Sequence, residues 1–265
     1  MIFPNINSKK LTHLLSALLP CFVAVLGVVT FSASIVEYKT HSVAASSTYK
    51  NRELPIYCVE KEEKLISLTF DAAWGNEDTQ QIMDILKKHD VKVTFFMTGG
   101  WVEKYPDDVK LIYSQGHDLG NHSENHKNMS QLSDAQIKEE LMTVHNRVKE
   151  LTGYEMFLFR PPYGDYDNEV IRGAKNCGYY SIQWDVDSLD WKDYGVDSII
   201  KTVTKHKHLG NGSIILCHNG AKYTAQALEN MIVTLKESGY TFVPLSELIY
   251  KEDFYMNHEG RQCVK

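Results

Sequence analysis

LISLTFDAAWG, residues 65–75, is a short run rich in apolar, β-branched and aromatic positions that breaks into polarity at Asp71 and ends on a glycine. Such a run, too short for a helix, reads as a buried strand, here Leu65–Phe70. Similar runs recur as Val91–Met97 (VKVTFFM), Phe157–Arg160, Tyr179–Trp184 (YYSIQW), Ser213–Leu216 and Thr241–Val243. Amphipathic stretches separate them. In the clearest, Asp134–Leu151, Ser133 and Gln136 make a capping-box pattern, Ile137, Leu141, Val144, Val148 and Leu151 share one face, and Gly153 follows. Two more helices are expected over Glu77–His89, with Ile82, Ile85 and Leu86 inward, and over Tyr223–Ser238, with Leu228, Ile232 and Leu235 inward before Gly239. Strands alternating with helices predict an α/β fold of mostly parallel strands, a distorted (β/α) barrel. In such a barrel the C-terminal strand ends hold functional side chains rigidly, and polar residues gather there: Asp71, Arg160, Asp187, Asp190 and His218.

Around this barrel the chain divides into four stretches. Residues 1–36 contain an uncharged apolar run, Leu14–Val36, preceded by Lys9 and Lys10. At about 1.5 Å per residue it is long enough to cross a bilayer, so it reads as a membrane-spanning anchor or a signal segment that places the following residues outside the cell membrane. The long run without a small-residue cleavage site favours an uncleaved single-pass anchor; cleavage would make the protein secreted. Residues 37–64 read as a polar stalk, 65–250 as the folded domain and 251–265 as a tail. The whole has 28 Lys+Arg against 34 Asp+Glu, a net charge of −6, so no basic stripe suited to nucleic acid is expected. The five cysteines show no C-x-x-C spacing, which gives no sign of a zinc ribbon or thioredoxin-like centre; Cys58 and Cys263 flank the domain and are candidates to pair.

Several of these residues have chemistry in reach. His122 and His126 in HSENH stand four apart, a spacing that brings two imidazoles to one side for a divalent metal, although in a chain with 11 histidines the pair alone is a weak signal and a polar loop is the commoner reading. Asp71, ending a strand, is a candidate general base or a turn cap. Arg160 in FRPPYG would supply its pairing charge from a turn stiffened by two prolines. His218 after SIILC is a candidate general acid, with Asp187 or Asp190 in DVDSLDW to orient it, and Trp191 offers a ring on which a sugar could stack.

Five motifs in order, TFDAAWG, HSENH, RPPYG, DSLDW and LCH, make the chain resemble the polysaccharide deacetylases with a NodB homology domain, carbohydrate esterase family 4, over about residues 65–250. Within that family FDAAWG behind one N-terminal anchor is most similar to the sporulation-associated deacetylases of spore-forming bacteria. The resemblance implies metal-dependent hydrolysis of N-acetyl groups on cell-wall polysaccharide, the glucosamine or muramic acid units of peptidoglycan, with zinc, or else cobalt or manganese, as cofactor. It also implies roles: Asp71 as base, His122 and His126 as metal ligands, Arg160 as the partner that positions the base, and the Tyr163 backbone as an oxyanion contact. Asp190 then orients the acid His218, while Trp191 and Leu216 shape the groove.

One position departs from the family pattern. Where most members carry a second Asp as third metal ligand, this chain has Ala72, and a methyl group coordinates nothing. A loosely held metal, a substitute carboxylate such as Glu77 or Asp118, or a glycan-binding relic would each follow. Retention of Asp71, Arg160, Asp190 and His218 together favours an active enzyme.

Overall fold

A computed structural model describes residues 48–49 and 51–265, which lie within a unit spanning 42–265. The Leu14–Val36 run read as an anchor or signal lies outside the described residues, and among those described no helix is long and apolar enough to cross a membrane.

The stretch Leu65–Ala72 forms β1, and every residue from Ile66 to Ala72 is buried. Burial on both faces is the property of a parallel strand with side chains packed inside and helices outside. After it come α1 (Thr79–Lys88), β2 (Thr94–Met97), α2 (Gly99–Lys104), α3 (Pro106–Ser114), β3 (Asp118–Asn121), α4 (Asp134–Thr152), β4 (Leu158–Phe159), α5 (Asn168–Asn176), β5 (Tyr180–Ser181), β6 (Val186–Asp187), α6 (Val196–Thr204), β7 (Ile214–Asn219), α7 (Thr224–Glu237) and β8 (Thr241–Phe242). The strands are parallel in the order β5-β4-β3-β2-β1-β7-β6, and β8 pairs with the start of β1. Because β5 and β6 end that path, the barrel is an open half-barrel. Ile56 runs along the β5 edge: its N–H donates to the Ser181 carbonyl and its carbonyl accepts the Gln183 N–H. Register sets His218 beside Asp71 and Asp71 beside Phe96, so the polar strand ends come level at one rim.

The three helices read from periodicity are present, and α4 carries its capping box and a left-handed Gly153 at its C-terminus. Two stretches behave differently from their reading. The strand Cys58–Val59, in the expected stalk, pairs with Arg261–Val264, which in turn pairs with Phe254–Met256, both in the expected tail. Ile56, Val59, Phe254 and Met256 are buried, so packing extends beyond Leu65 and Tyr250 in both directions. Cys58 and Cys263 lie on adjacent strands as buried free thiols, not as a disulfide.

Periodicity also misses β3, whose residues DLGN include no β-branched side chain. The strand forms because Gly120 lets the Phe96 ring lie against the backbone: a Cβ there would meet Phe96 Cδ1 at 2.4 Å. Gly120→Ala is therefore expected to destabilise the domain by about 1–3 kcal/mol through overpacking. Urea unfolding of the two proteins checks this, and an unchanged midpoint would count against the close approach.

Candidate active site

Polar residues stand at or just past the C-terminal ends of β1, β3, β4 and β7, namely Asp71, His122, Arg160 and His218, and these ends converge on a cleft of about 490 Å³ lined by Asp71, His122, His126, Tyr163, Trp191 and His218 among others. Behind this lining lies Arg160, wholly buried just after β4. Its Nη1 donates to Asp71 Oδ1 at 2.7 Å and to Thr69 Oγ1 at 2.9 Å, and Nη2 donates to the Gln183 carbonyl at 3.2 Å. The guanidinium lies over the Phe96 ring at 4.2 Å and near Trp184 at 5.5 Å, faces that favour a planar cation. Burial alone would raise the Asp71 pKa, but the Arg160 charge, helped by His122, His218 and the Arg160 hydrogen bond, outweighs it and holds the carboxyl below its ordinary range.

The Arg160 backbone also sets His122. Its carbonyl accepts from His122 Nδ1 at 2.7 Å, and since a carbonyl can only accept, the proton sits on Nδ1 and the Nε2 lone pair faces the cleft. Burial pushes His122 down to about 4, against the pull of Asp71, and lowers His126 as well. Both imidazoles are thus neutral near pH 7, the form that binds metal. The two rings lie 5.0 Å apart, and His122 Nε2 is 3.6 Å from Asp71 Oδ2, too long for a hydrogen bond.

This donor set fits a divalent ion held by two imidazoles. Among the described residues no group of three His, Cys, Asp or Glu closes on one point. Ala72 is wholly buried in the apolar core and does not line the cleft. Neither expected substitute replaces it. Asp118 starts β3, at the end away from His122, and accepts from Thr94 Oγ1 and the Ser246 N–H; Glu77 borders a separate hollow with Asp78 and Gly220.

Across the cleft, His218 Nδ1 bonds Asp190 Oδ1 at 2.7 Å. Asp190 is fully buried, and its Oδ2 accepts the His218 N–H and the Thr224 hydroxyl, both at 2.7 Å. Burial opposes a charge on His218, but the Asp190 hydrogen bond and charge, with Asp71 and Asp187, prevail and raise its pKa. Of the two candidates to orient His218, Asp190 does so; Asp187 lines the cleft and accepts the Leu189 N–H.

The remaining expected residues shape the walls. Tyr163, exposed and at φ 60° after the paired prolines, lays its ring 4.5 Å from that of His126. Trp191 is half-exposed on a turn whose flanks, Leu189 and Asp193, both take φ 55°, and Leu216 is a buried part of the lining. Trp74 and Trp184 line the cleft without having been singled out from sequence. Trp74 is half-exposed, with its ring 5.2 Å from that of His218, and its place just past the end of β1 was the signal available for it.

Several known proteins are similar to this chain. A family model described as polysaccharide deacetylase matches residues 59–182. The chain is 35% identical to the peptidoglycan-N-acetylmuramic acid deacetylase PdaA of Bacillus subtilis, over 74% of this chain and 76% of that one. It is 36% identical to a peptidoglycan-N-acetylglucosamine deacetylase of Bacillus cereus, over 72% of this chain and 91% of the other. Among solved structures it resembles a family 4 carbohydrate esterase pseudoenzyme of Bacillus anthracis, with a TM-score of 0.71 and 33% identity, covering 83% of this chain and 77% of that chain.

The pairing of His218 with Asp190 predicts a measurable titration. In wild type the His218 imidazolium should persist above the ordinary histidine pKa of about 6.5, and Asp190→Asn should bring its pKa below that value. NMR titration of the imidazole carbons reads both, and equal pKa values in the two proteins would remove Asp190 as the cause.

Proposed function

The chain belongs to the polysaccharide deacetylase family, and from that premise we propose that it hydrolyses N-acetyl groups on peptidoglycan glucosamine or muramic acid units, releasing acetate. The observation that carries this reading is one cleft in which a carboxylate kept ionised by Arg160 faces a histidine kept protonated by Asp190. General base and general acid are thereby held in opposite charge states at the same pH.

Asp71 Oδ2 accepts a proton from the attacking water as that oxygen bonds the acetyl carbon, while Arg160 keeps the carboxylate in place. His218, held at Nδ1 by Asp190, gives its Nε2 proton to the departing nitrogen as the C–N bond breaks, leaving a free amine on the sugar and acetic acid, which ionises to acetate; Asp71 then releases its proton to solvent and His218 takes one up. The Tyr163 backbone is assigned to the carbonyl oxygen, and Trp191 and Leu216, with Trp74 beside them, to the sugar face. His122 and His126 would hold a divalent metal, zinc before cobalt or manganese, which when bound lowers the pKa of water and polarises the acetyl carbonyl. Leu14–Val36, as an anchor or signal, would deliver the domain to the outer side of the cell membrane, where peptidoglycan lies. The FDAAWG resemblance points to a role in sporulation.

Ala72 supports a second reading, a glycan-binding relic, and a pseudoenzyme among the similar structures gives it weight. Against it stands the complete acid–base pair, which binding alone would not need.

Activity separates the two. The zinc-loaded full chain should release acetate from peptidoglycan, and Asp71→Asn or His218→Ala should each lower kcat by about 100-fold or more. Catalysis needs Asp71 ionised and His218 protonated. The rate–pH profile should therefore rise through a limb below the usual carboxylate range and fall through one above about 6.5. Absence of acetate with zinc, cobalt and manganese on both peptidoglycan and chitooligosaccharides, with chelator-insensitive sedimentation on peptidoglycan, would establish the relic.

A further inference from the structure

The loop joining the two cleft histidines has a conformation that needs external support. Ser123 at φ 66° and His126 at φ 52° both lie in the left-handed region, which non-glycine residues enter at a cost. Its own bonds supply part of the support: Ser123 Oγ accepts the His126 N–H at 3.0 Å, and Asn121 Oδ1 accepts the Ser123 N–H at 2.9 Å.

The rest comes from one helix. Glu140 on α4 is buried, with its side chain only 4% exposed, and its carboxylate accepts from the Asn125 N–H, Asn125 Nδ2 and Lys127 Nζ, each at 2.8 Å. It thereby grips the residues on either side of His126. Two turns further along, Arg147 makes hydrogen bonds of 3.0–3.1 Å to both Glu124 oxygens and donates to the Gly99 carbonyl, while the Gly99 N–H returns to the Ser123 carbonyl. The Leu141 carbonyl between them accepts from Asn121 Nδ2. Thus Asn121, Glu124, Asn125 and Lys127, the neighbours of both histidines, are all tied to α4. A buried carboxylate is costly unless it is paired and hydrogen-bonded, and the Glu140 carboxylate accepts its bonds from this loop.

We infer that α4 clamps the His122–His126 loop in its metal-binding shape, with Glu140 and Arg147 as positioning residues. His122 has a separate tether in the Arg160 carbonyl, so the clamp acts chiefly on His126. With Ala72 in place of a carboxylate, an ion rests on two imidazoles, and their relative orientation governs affinity. This inference rests on the metal-binding part of the proposed function.

The test measures metal binding without substrate: zinc affinity of the full chain by chelator competition, and the visible absorption of the cobalt form. Glu140→Ala and Arg147→Ala should each weaken zinc binding about 10–100-fold and alter the cobalt spectrum, with Glu140→Gln recovering part of the loss. Glu139→Ala, an exposed neighbour on the same helix, should change neither. Asn125→Ala, which leaves Glu140 paired with Lys127, keeps the test open if Glu140→Ala does not fold, and should weaken zinc in the same direction. Wild-type zinc affinity and an unchanged cobalt spectrum in Arg147→Ala together with Glu140→Ala, or with Asn125→Ala in its place, would overturn the clamp. Tight zinc binding by a wild type that releases no acetate would overturn the proposed activity and leave the clamp standing, whereas a wild type that takes up no zinc overturns both.

Discussion

The buried pair of Arg160 and Asp71 organises the rest of the cleft. Removing one partner of such a pair strands the other charge in a dry interior, at about 3–5 kcal/mol. Here the guanidinium is held by Thr69, the Gln183 carbonyl and two aromatic faces, so its position is fixed independently of Asp71. Its backbone carbonyl then fixes His122, just past β3, through the Nδ1 bond that leaves Nε2 free. One residue thereby determines the ionisation of the carboxylate and the tautomer of the first imidazole.

Strand register makes this economical. β1 lies between β2 and β7, so Asp71 comes level with His218 on one side and Phe96 on the other. Phe96 in turn carries the face on which Arg160 rests and covers Gly120. The helices outside the barrel are not only packing: α7 supplies Thr224 to Asp190, and α4 supplies Glu140 and Arg147 to the histidine loop. The acid–base pair and the histidine pair are each backed by a helix.

Much of this was legible in the chain. LISLTF, VKVTFFM and the capped stripe of α4 carry clear patterning, and Asp71, Arg160 and His218 stand out because polar groups at the ends of apolar strands need partners, whereas Asp190 is told from Asp187 only by its bonds to His218. Other parts were hidden for definite reasons. DLGN forms a strand because a glycine admits Phe96, a tertiary fact with no local signal. The pairing of Cys58–Val59 with Arg261–Val264 joins residues about 200 apart in a stretch with little alternation. Trp74 follows a strand end like the other site residues but carries no charge to mark it. Glu140 sits beside a helical apolar stripe, where a single carboxylate looks like ordinary surface until the loop it grips is seen.

Ala72 remains the point on which activity turns, because it removes a ligand from a cleft whose acid and base are otherwise complete. The most direct test is the acetate formed when the zinc-loaded full chain acts on peptidoglycan in water enriched in heavy oxygen. One solvent oxygen in each acetate, matched by one new free amine on the glycan, is the predicted result. Acetate without solvent oxygen, or no acetate at all, would contradict it.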